Sequence, residues 1–114
     1  MLKFYSKIYK PRSNIYVNTA KMIIEYELPG VKKDDISVDC NGTHLILKAK
    51  KMPNIKEFDS INQVRSERVF GKIERIFPLP EEADLEHIDA HLSDGVLTVT
   101  IPRTFGKKLQ VKVN

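Results

Sequence analysis

Ile88-Asp-Ala-His-Leu-Ser-Asp-Gly-Val-Leu-Thr-Val-Thr-Ile101 is the stretch that decides the fold. At its centre, Asp94-Gly95 suits the primed two-residue turns, whose central residues need positive φ. Folding the stretch about that dipeptide pairs Leu92 with Leu97, Ala90 with Val99 and Ile88 with Ile101. All the apolar partners then share one face, whereas a slip of one residue would move a strand's whole apolar set to the other side. A second stretch behaves alike: folded about Asn41-Gly42, it pairs Cys40 with Thr43, Val38 with Leu45 and Ile36 with Leu47.

Working outward, Pro29-Gly30, Pro53, Gly71, Pro78, Pro80 and Pro102 bound short segments rich in Ile, Val, Leu, Tyr and Phe. That is the spacing of an all-β sandwich or barrel. Met22–Leu28 alternates, with Met22, Ile24, Tyr26 and Leu28 on one face and Glu25 and Glu27 on the other. Gly30–Ile36 reads as a single helical turn between strands. Glu82–Leu92 is ambiguous, because Leu85, Ile88 and Leu92 also fall at helical spacing and Glu and Ala favour helix. The hairpin register claims Ile88 onward for a strand, which leaves a short helical turn at Pro80–Glu86 with Pro80 near its start.

At 114 residues the chain has room for one domain with one core. No run approaches the roughly 20 apolar residues that span a bilayer. The leader Met1-Leu-Lys-Phe-Tyr-Ser-Lys7 lacks an apolar signal core, and a lone Cys40 excludes a disulfide framework. The expectation is an intracellular, cytoplasmic protein without membrane contact. The net charge of +4 is unevenly placed. Lys3, Lys7, Lys10 and Arg12 open the chain; Glu81, Glu82, Asp84, Glu86, Asp89 and Asp94 form an acidic stretch; Arg103, Lys107, Lys108 and Lys112 follow. An excess of positive charge placed in the two tails argues against a nucleic-acid-binding face.

Catalytic chemistry finds little support. Gly71-Lys72 and Gly106-Lys107 lack the spaced glycines and the Ser or Thr of a phosphate-binding loop. His87 and His91 could ligate one metal only from a helix, and on the strand reading His91 and His44 point to a solvated face. Cys40 falls on the apolar side with Val38 and reads as a buried, inert thiol. Asn41-Gly42-Thr43 fits the glycosylation triplet, but the hairpin turn accounts for it. No enzyme activity, cofactor or metal is expected.

Three features call for a partner. Lys51–Ser66 is too long for a hairpin loop, yet it spaces Ile55, Phe58, Ile61 and Val64 among polar residues. It either folds over its own core or buries those side chains against another subunit. In Val69, Gly71, Ile73, Arg75, Phe77 and Leu79, one arginine interrupts an apolar stripe. Burying an unpaired guanidinium costs several kcal/mol, so Arg75 needs an acidic partner or a boundary, either a twist of the stripe into solvent or a subunit interface. Leu109-Gln-Val-Lys-Val113 alternates like a strand in a basic tail, and a strand that short must add to a sheet or dock in a groove.

These residues resemble a known family. Ala90-His-Leu-Ser-Asp-Gly-Val-Leu97 is similar to the Ala-x-x-x-Asn/Asp-Gly-Val-Leu signature of the α-crystallin domain of small heat-shock proteins. Leu28-Pro-Gly-Val31 with Lys33-Asp-Asp-Ile36, and Glu67-Arg68, Gly71, Arg75 and Leu79-Pro80, resemble two more of its motifs. The likeness runs from about Asn14 to Arg103. It implies an immunoglobulin-like, two-sheet antiparallel sandwich over residues 14–103, with a short arm at 1–13 and a tail at 104–114. It also implies an ATP-independent holdase that captures partly unfolded client proteins, built on a homodimer and assembling further.

The resemblance places a strand exchanged between partners in the long loop, so Ile55, Phe58, Ile61 and Val64 join Arg75 at the dimer interface. It places a tail-docking groove between strands Ile36–Cys40 and Ile88–Ser93, lined by Val38, Leu45, Ile88, Ala90 and Leu92. The tail anchor is Leu109, Val111 and Val113, and Leu2, Phe4, Tyr5, Ile8 and Tyr9 are expected to contact clients. The tail lacks a clean Ile-x-Ile, the arm is shorter than the family's usual one, and Pro78 should end sheet pairing early. Two other readings stay open: a monomeric adaptor resembling CS domains, which binds one folded partner, and a basic-armed nucleic-acid binder.

Overall fold

The computed structural model describes residues 8–53, 61–104 and 111–114. Eight strands form two four-stranded sheets: β1 (Ile8–Tyr9), β2 (Ser13–Val17), β3 (Lys21–Glu27), β4 (Ile36–Cys40), β5 (His44–Lys51), β6 (Gly71–Pro78), β7 (Asp89–Ser93) and β8 (Val96–Pro102). One sheet runs β1-β6-β5-β4 and the other β2-β3-β8-β7. Every pairing is antiparallel except that of β1 with β6, which is parallel. The expected immunoglobulin-like sandwich is therefore present, with one parallel strand added at an edge.

Alternation builds the core. Ile24, Tyr26 and Leu28 from β3 and its exit, Leu97, Val99 and Ile101 from β8, Leu45 and Leu47 from β5 and Ile73 from β6 are all buried. Each comes from an inner strand of its sheet, where the face turned to the other sheet is covered from both sides. At roughly 1.5–3 kcal/mol per fully buried aliphatic side chain, this cluster is the main source of stability.

The hairpin between β7 and β8 has the expected register, with Leu92 opposite Leu97 and Ala90 opposite Val99. Asp94 and Gly95 have φ of 54° and 74°, as a type I′ turn demands. Ile88 lies one residue before β7 and outside the ladder. Gly95 also accepts a 2.7 Å hydrogen bond at its carbonyl from the Leu28 amide. A Cβ there would come within 3.2 Å of the Pro29 backbone. Gly95→Ala is accordingly expected to lower the unfolding free energy by about 1–3 kcal/mol, a shift that a urea titration reads directly.

The other hairpin corrects the expected register. Cys40 pairs with Leu45, Val38 with Leu47 and Ile36 with Ala49. Asn41 is not a central turn residue. Its Oδ1 accepts hydrogen bonds from the Thr43 amide (3.1 Å), the Thr43 hydroxyl (3.1 Å) and the His44 amide (2.8 Å). Only Gly42 has positive φ, so the reversal centres on Gly42-Thr43. A shift of two residues preserves the faces, and the core residues are unaffected.

The expected turn at Gly30–Ile36 is a 3₁₀ turn over Lys33–Asp35. The turn expected at Pro80–Glu86 lies instead at Leu85–His87. Pro80–Ala83 closes as a separate turn, with the Ala83 amide donating to the Pro80 carbonyl at 3.1 Å, and Ala83 then bridges to Arg103, which separates that turn from the 3₁₀ turn. Cys40 is exposed, not buried: it sits on edge strand β4, where the apolar side is only partly covered.

Candidate functional site

Among the described residues, the sandwich has two pairs of open edges. β1 and β2 are joined by only Lys10–Arg12 and so share one side; β4 and β7 form the opposite side. An edge strand leaves a row of backbone donors and acceptors unpaired, which makes it a template for another chain.

On the β4–β7 side, Val38, Ile88 and Leu92 are half-buried and pack on the core, while Ala90 is exposed. Leu45, also expected in this groove, is buried and forms part of the core. The core is therefore continuous with a partly exposed apolar strip. Glu86, Asp89 and Asp94 lie exposed along the same segment.

On the other side, Arg75 stands on β6 opposite Leu47 of β5. It is half-buried, and its Nη1 donates a 2.8 Å hydrogen bond to the carbonyl of Pro11 in the link between β1 and β2. Its guanidinium also faces Tyr26, whose hydroxyl is held above its ordinary pKa by burial while the Arg75 charge pulls the other way. Beside it, β2 carries Ile15, Tyr16 and Val17, all exposed. Sequence reading missed this strand as a feature, although three consecutive apolar residues were its visible signal.

The remaining expected residues divide. Ile61 and Val64 are exposed, Val64 at 98%, so the long loop does not cover the core with them. Val111 and Val113 of the tail are exposed as well. Ile8 is exposed, and Tyr9 packs on the core with its hydroxyl pKa raised by burial. Leu2, Phe4, Tyr5, Ile55, Phe58 and Leu109 lie outside the described residues.

A cluster that the sequence reading did not foresee fixes the exit of β8. Arg103 Nη2 donates to Glu82 Oε1 at 2.8 Å, and Nη1 donates to the Asn18 carbonyl. The Arg103 amide reaches the Ala20 carbonyl at 2.8 Å, and the Thr104 amide the Glu82 carbonyl at 2.8 Å. Two loops, β2–β3 and β6–β7, are thus tied to the exit of β8 where the tail begins. The Glu82 backbone amide and then the Arg103 guanidinium hold the Glu82 carboxyl below its usual pKa of 4.5. A depressed folded-state pKa contributes stability above the unfolded value, and that contribution is lost as pH falls through the folded one. Glu82→Gln should therefore melt below the parent at pH 7. The gap should close progressively below about pH 4.5 in a melting series; a gap independent of pH would reject the ion-pair account.

Among the described residues no group of three or more His, Cys, Asp or Glu could hold a metal, and no helix is long and apolar enough to cross a membrane. Residues 14–113 match the Hsp20/alpha crystallin family. The chain belongs to this family. Among Hsp20/alpha crystallin relatives, the small heat shock protein C4 of Rickettsia felis is 34% identical over 100 residues, covering 88% of this chain and 61% of the relative. The 17.7 kDa class II heat shock protein of Arabidopsis thaliana is 43% identical over 82 residues, covering 71% and 53%. The heat shock protein 16.0 structure from Schizosaccharomyces pombe superposes with a TM-score of 0.78 at 31% identity, covering 93% of this chain and 76% of that one. This Hsp20 chain thus spans less than two thirds of the length of those two curated relatives.

Proposed function

We propose that the chain is an ATP-independent holdase that binds partly unfolded proteins and keeps them from aggregating, in the cytoplasm and without catalysis. The observation that carries this reading is the strip formed by Val38, Ile88 and Leu92, half-exposed, packed on the core and lying along two strand edges that are unpaired among the described residues. Such a surface offers burial of apolar area together with free backbone groups, which an unfolding chain supplies in extended form. Family membership supports the reading.

The working unit in this proposal is a homodimer. The long loop of each copy, with Ile55, Phe58, Ile61 and Val64, lies against β2 of its partner, and Arg75 stands at the junction. Larger assemblies form when the tail anchor of Leu109, Val111 and Val113 docks in the β4–β7 groove of a neighbour. Lys107, Lys108 and Lys112 then meet Glu86, Asp89 and Asp94, and exposed pairs of that kind are screened by salt. Raising salt should shift assemblies toward dimers; a mass that is constant across the series rejects the electrostatic part.

The test of the whole reading combines size-exclusion light scattering with heat aggregation of a model client. A dimer or larger species that suppresses client scattering without nucleotide is the expected result. A monomer without effect on the client would instead indicate an adaptor for a folded partner, and salt-sensitive retention on DNA or RNA a nucleic-acid binder.

A further inference from the structure

The first strand is an unusual tenant. β1 is two residues long, joins β6 in parallel, and pairs Ile8 with Lys72 and Tyr9 with Ile73. Parallel pairing is slightly weaker per residue than antiparallel pairing, and a two-residue ladder offers little to hold it. Pro11 follows after Lys10, and its missing N–H stops the strand from continuing along β6. Among the described residues, no strand pairs with this side of β6 beyond Ile73. The edge from Glu74 to Phe77 is left open, next to a cavity of about 200 Å³ lined by Ile8, Lys10, Glu74, Arg75 and Ile76. Ile76 is 53% exposed there and Ile8 60%.

Among the described residues, what fastens β1 is its short ladder, the contact of Tyr9 with the core, the Arg75 bond to the Pro11 carbonyl and the burial of Pro11 itself. Elements with so few buried contacts open at low free energy. When β1 leaves, the same edge runs uninterrupted from Lys72 to Phe77, with a vacated apolar seat where Tyr9 had been and a half-buried arginine donor beside it.

We propose that this edge of β6 is a strand-acceptor site for extended client segments, that β1 is its resident occupant, and that β1 must detach for the site to work. The fitting segment is extended, carries an aromatic residue at the inward position taken by Tyr9, has a backbone carbonyl within reach of Arg75, and lacks a proline that would stop it short of Phe77. The client part of this proposal rests on the holdase reading; the edge itself does not.

The test latches β1. Ile8 and Lys72 are directly opposed, and adjacent strands lie about 4.8 Å apart, within the Cα range a disulfide accepts. Ile8→Cys with Lys72→Cys, in a Cys40→Ser background, gives a chain whose β1 is locked when oxidised and free when reduced. The expected result is that several-fold more oxidised than reduced protein is needed to hold a model client. Equal suppression by both forms overturns the proposal. A reduced form that suppresses nothing counts against the holdase reading instead, and the edge is then judged by a second measurement. In that measurement a peptide of residues 7–12 is titrated onto protein lacking residues 1–10. Binding is expected, with a Tyr9→Ala peptide about tenfold weaker, equivalent to about 1.4 kcal/mol; no binding overturns the acceptor site. A rise in the client-free mass on unlatching would assign the edge to a second copy, and that too overturns the proposal.

Discussion

Leu47→Ala is expected to lower the unfolding free energy by about 3 kcal/mol, with the urea midpoint shifted and the slope unchanged. Leu47 is 0% exposed and lies mid-way along β5, between Val38 on β4 and Arg75 on β6. Neither neighbour can fill the space it would vacate. Val38 is too short and belongs to an edge strand, while Arg75 is committed to the Pro11 carbonyl. The cavity term therefore adds to the lost transfer energy of the side chain. A domain of this size has a total of only about 5–15 kcal/mol to lose. Ile76→Ala is the control: the same β6 neighbourhood, half-exposed, should cost well under 1.5 kcal/mol. If the two substitutions cost the same, the core does not run through the centre of β5.

The core was legible in the chain from alternation, and at the β7–β8 hairpin, turn chemistry agrees with it. Asp94-Gly95 specifies a turn by the φ values both residues can adopt, and the register of β7 on β8 follows. Asn41-Gly42 looked equivalent and was not. An Asn can occupy a turn centre, or it can use its side-chain oxygen to bind the amides that follow, and the residues alone do not choose between these. The two-residue error left every face intact, which is why the core could be read correctly from a wrong register.

Burial was less legible than facing. Cys40 and Ala90 point to the apolar side of their strands, yet both are exposed, because β4 and β7 are edges and nothing among the described residues covers them. Strand order, not local pattern, decides that. The same holds for Arg75 and Arg103. The sequence showed an arginine interrupting an apolar stripe, but its partner is a carbonyl 64 positions away. For Arg103 no stripe was interrupted, and only the conjunction of Glu82 with an Ile-Pro-Arg strand end hinted at the bond that ties the loops together. Parallel pairing of β1 had no local signal, since it joins residues far apart in the chain through two positions.

Deleting Leu109–Asn114 is expected to collapse assemblies to dimers while leaving the melting temperature nearly unchanged. Val111 and Val113 are 82% and 91% exposed, so their own domain gains little from them. The clamp of Arg103 and Thr104 on Glu82 fixes the start of the tail on its own sandwich, at the end opposite the hydrogen-bonded turn of β7 and β8. A segment anchored at its base and apolar toward its tip is suited to reach another copy. Because each dimer of the proposed assembly would carry two such tails, the effective concentration of the second contact would be high once the first has formed, and loss of the anchor should act cooperatively on mass. Light scattering on the truncated chain reads the effect. The double substitution of Val111→Asp and Val113→Asp should reproduce it at full length, since a carboxylate cannot enter an apolar groove unpaired. Two results would defeat the proposed docking. Unchanged mass in both variants would leave the tail idle, and a large drop in melting temperature would make it a strand of its own domain.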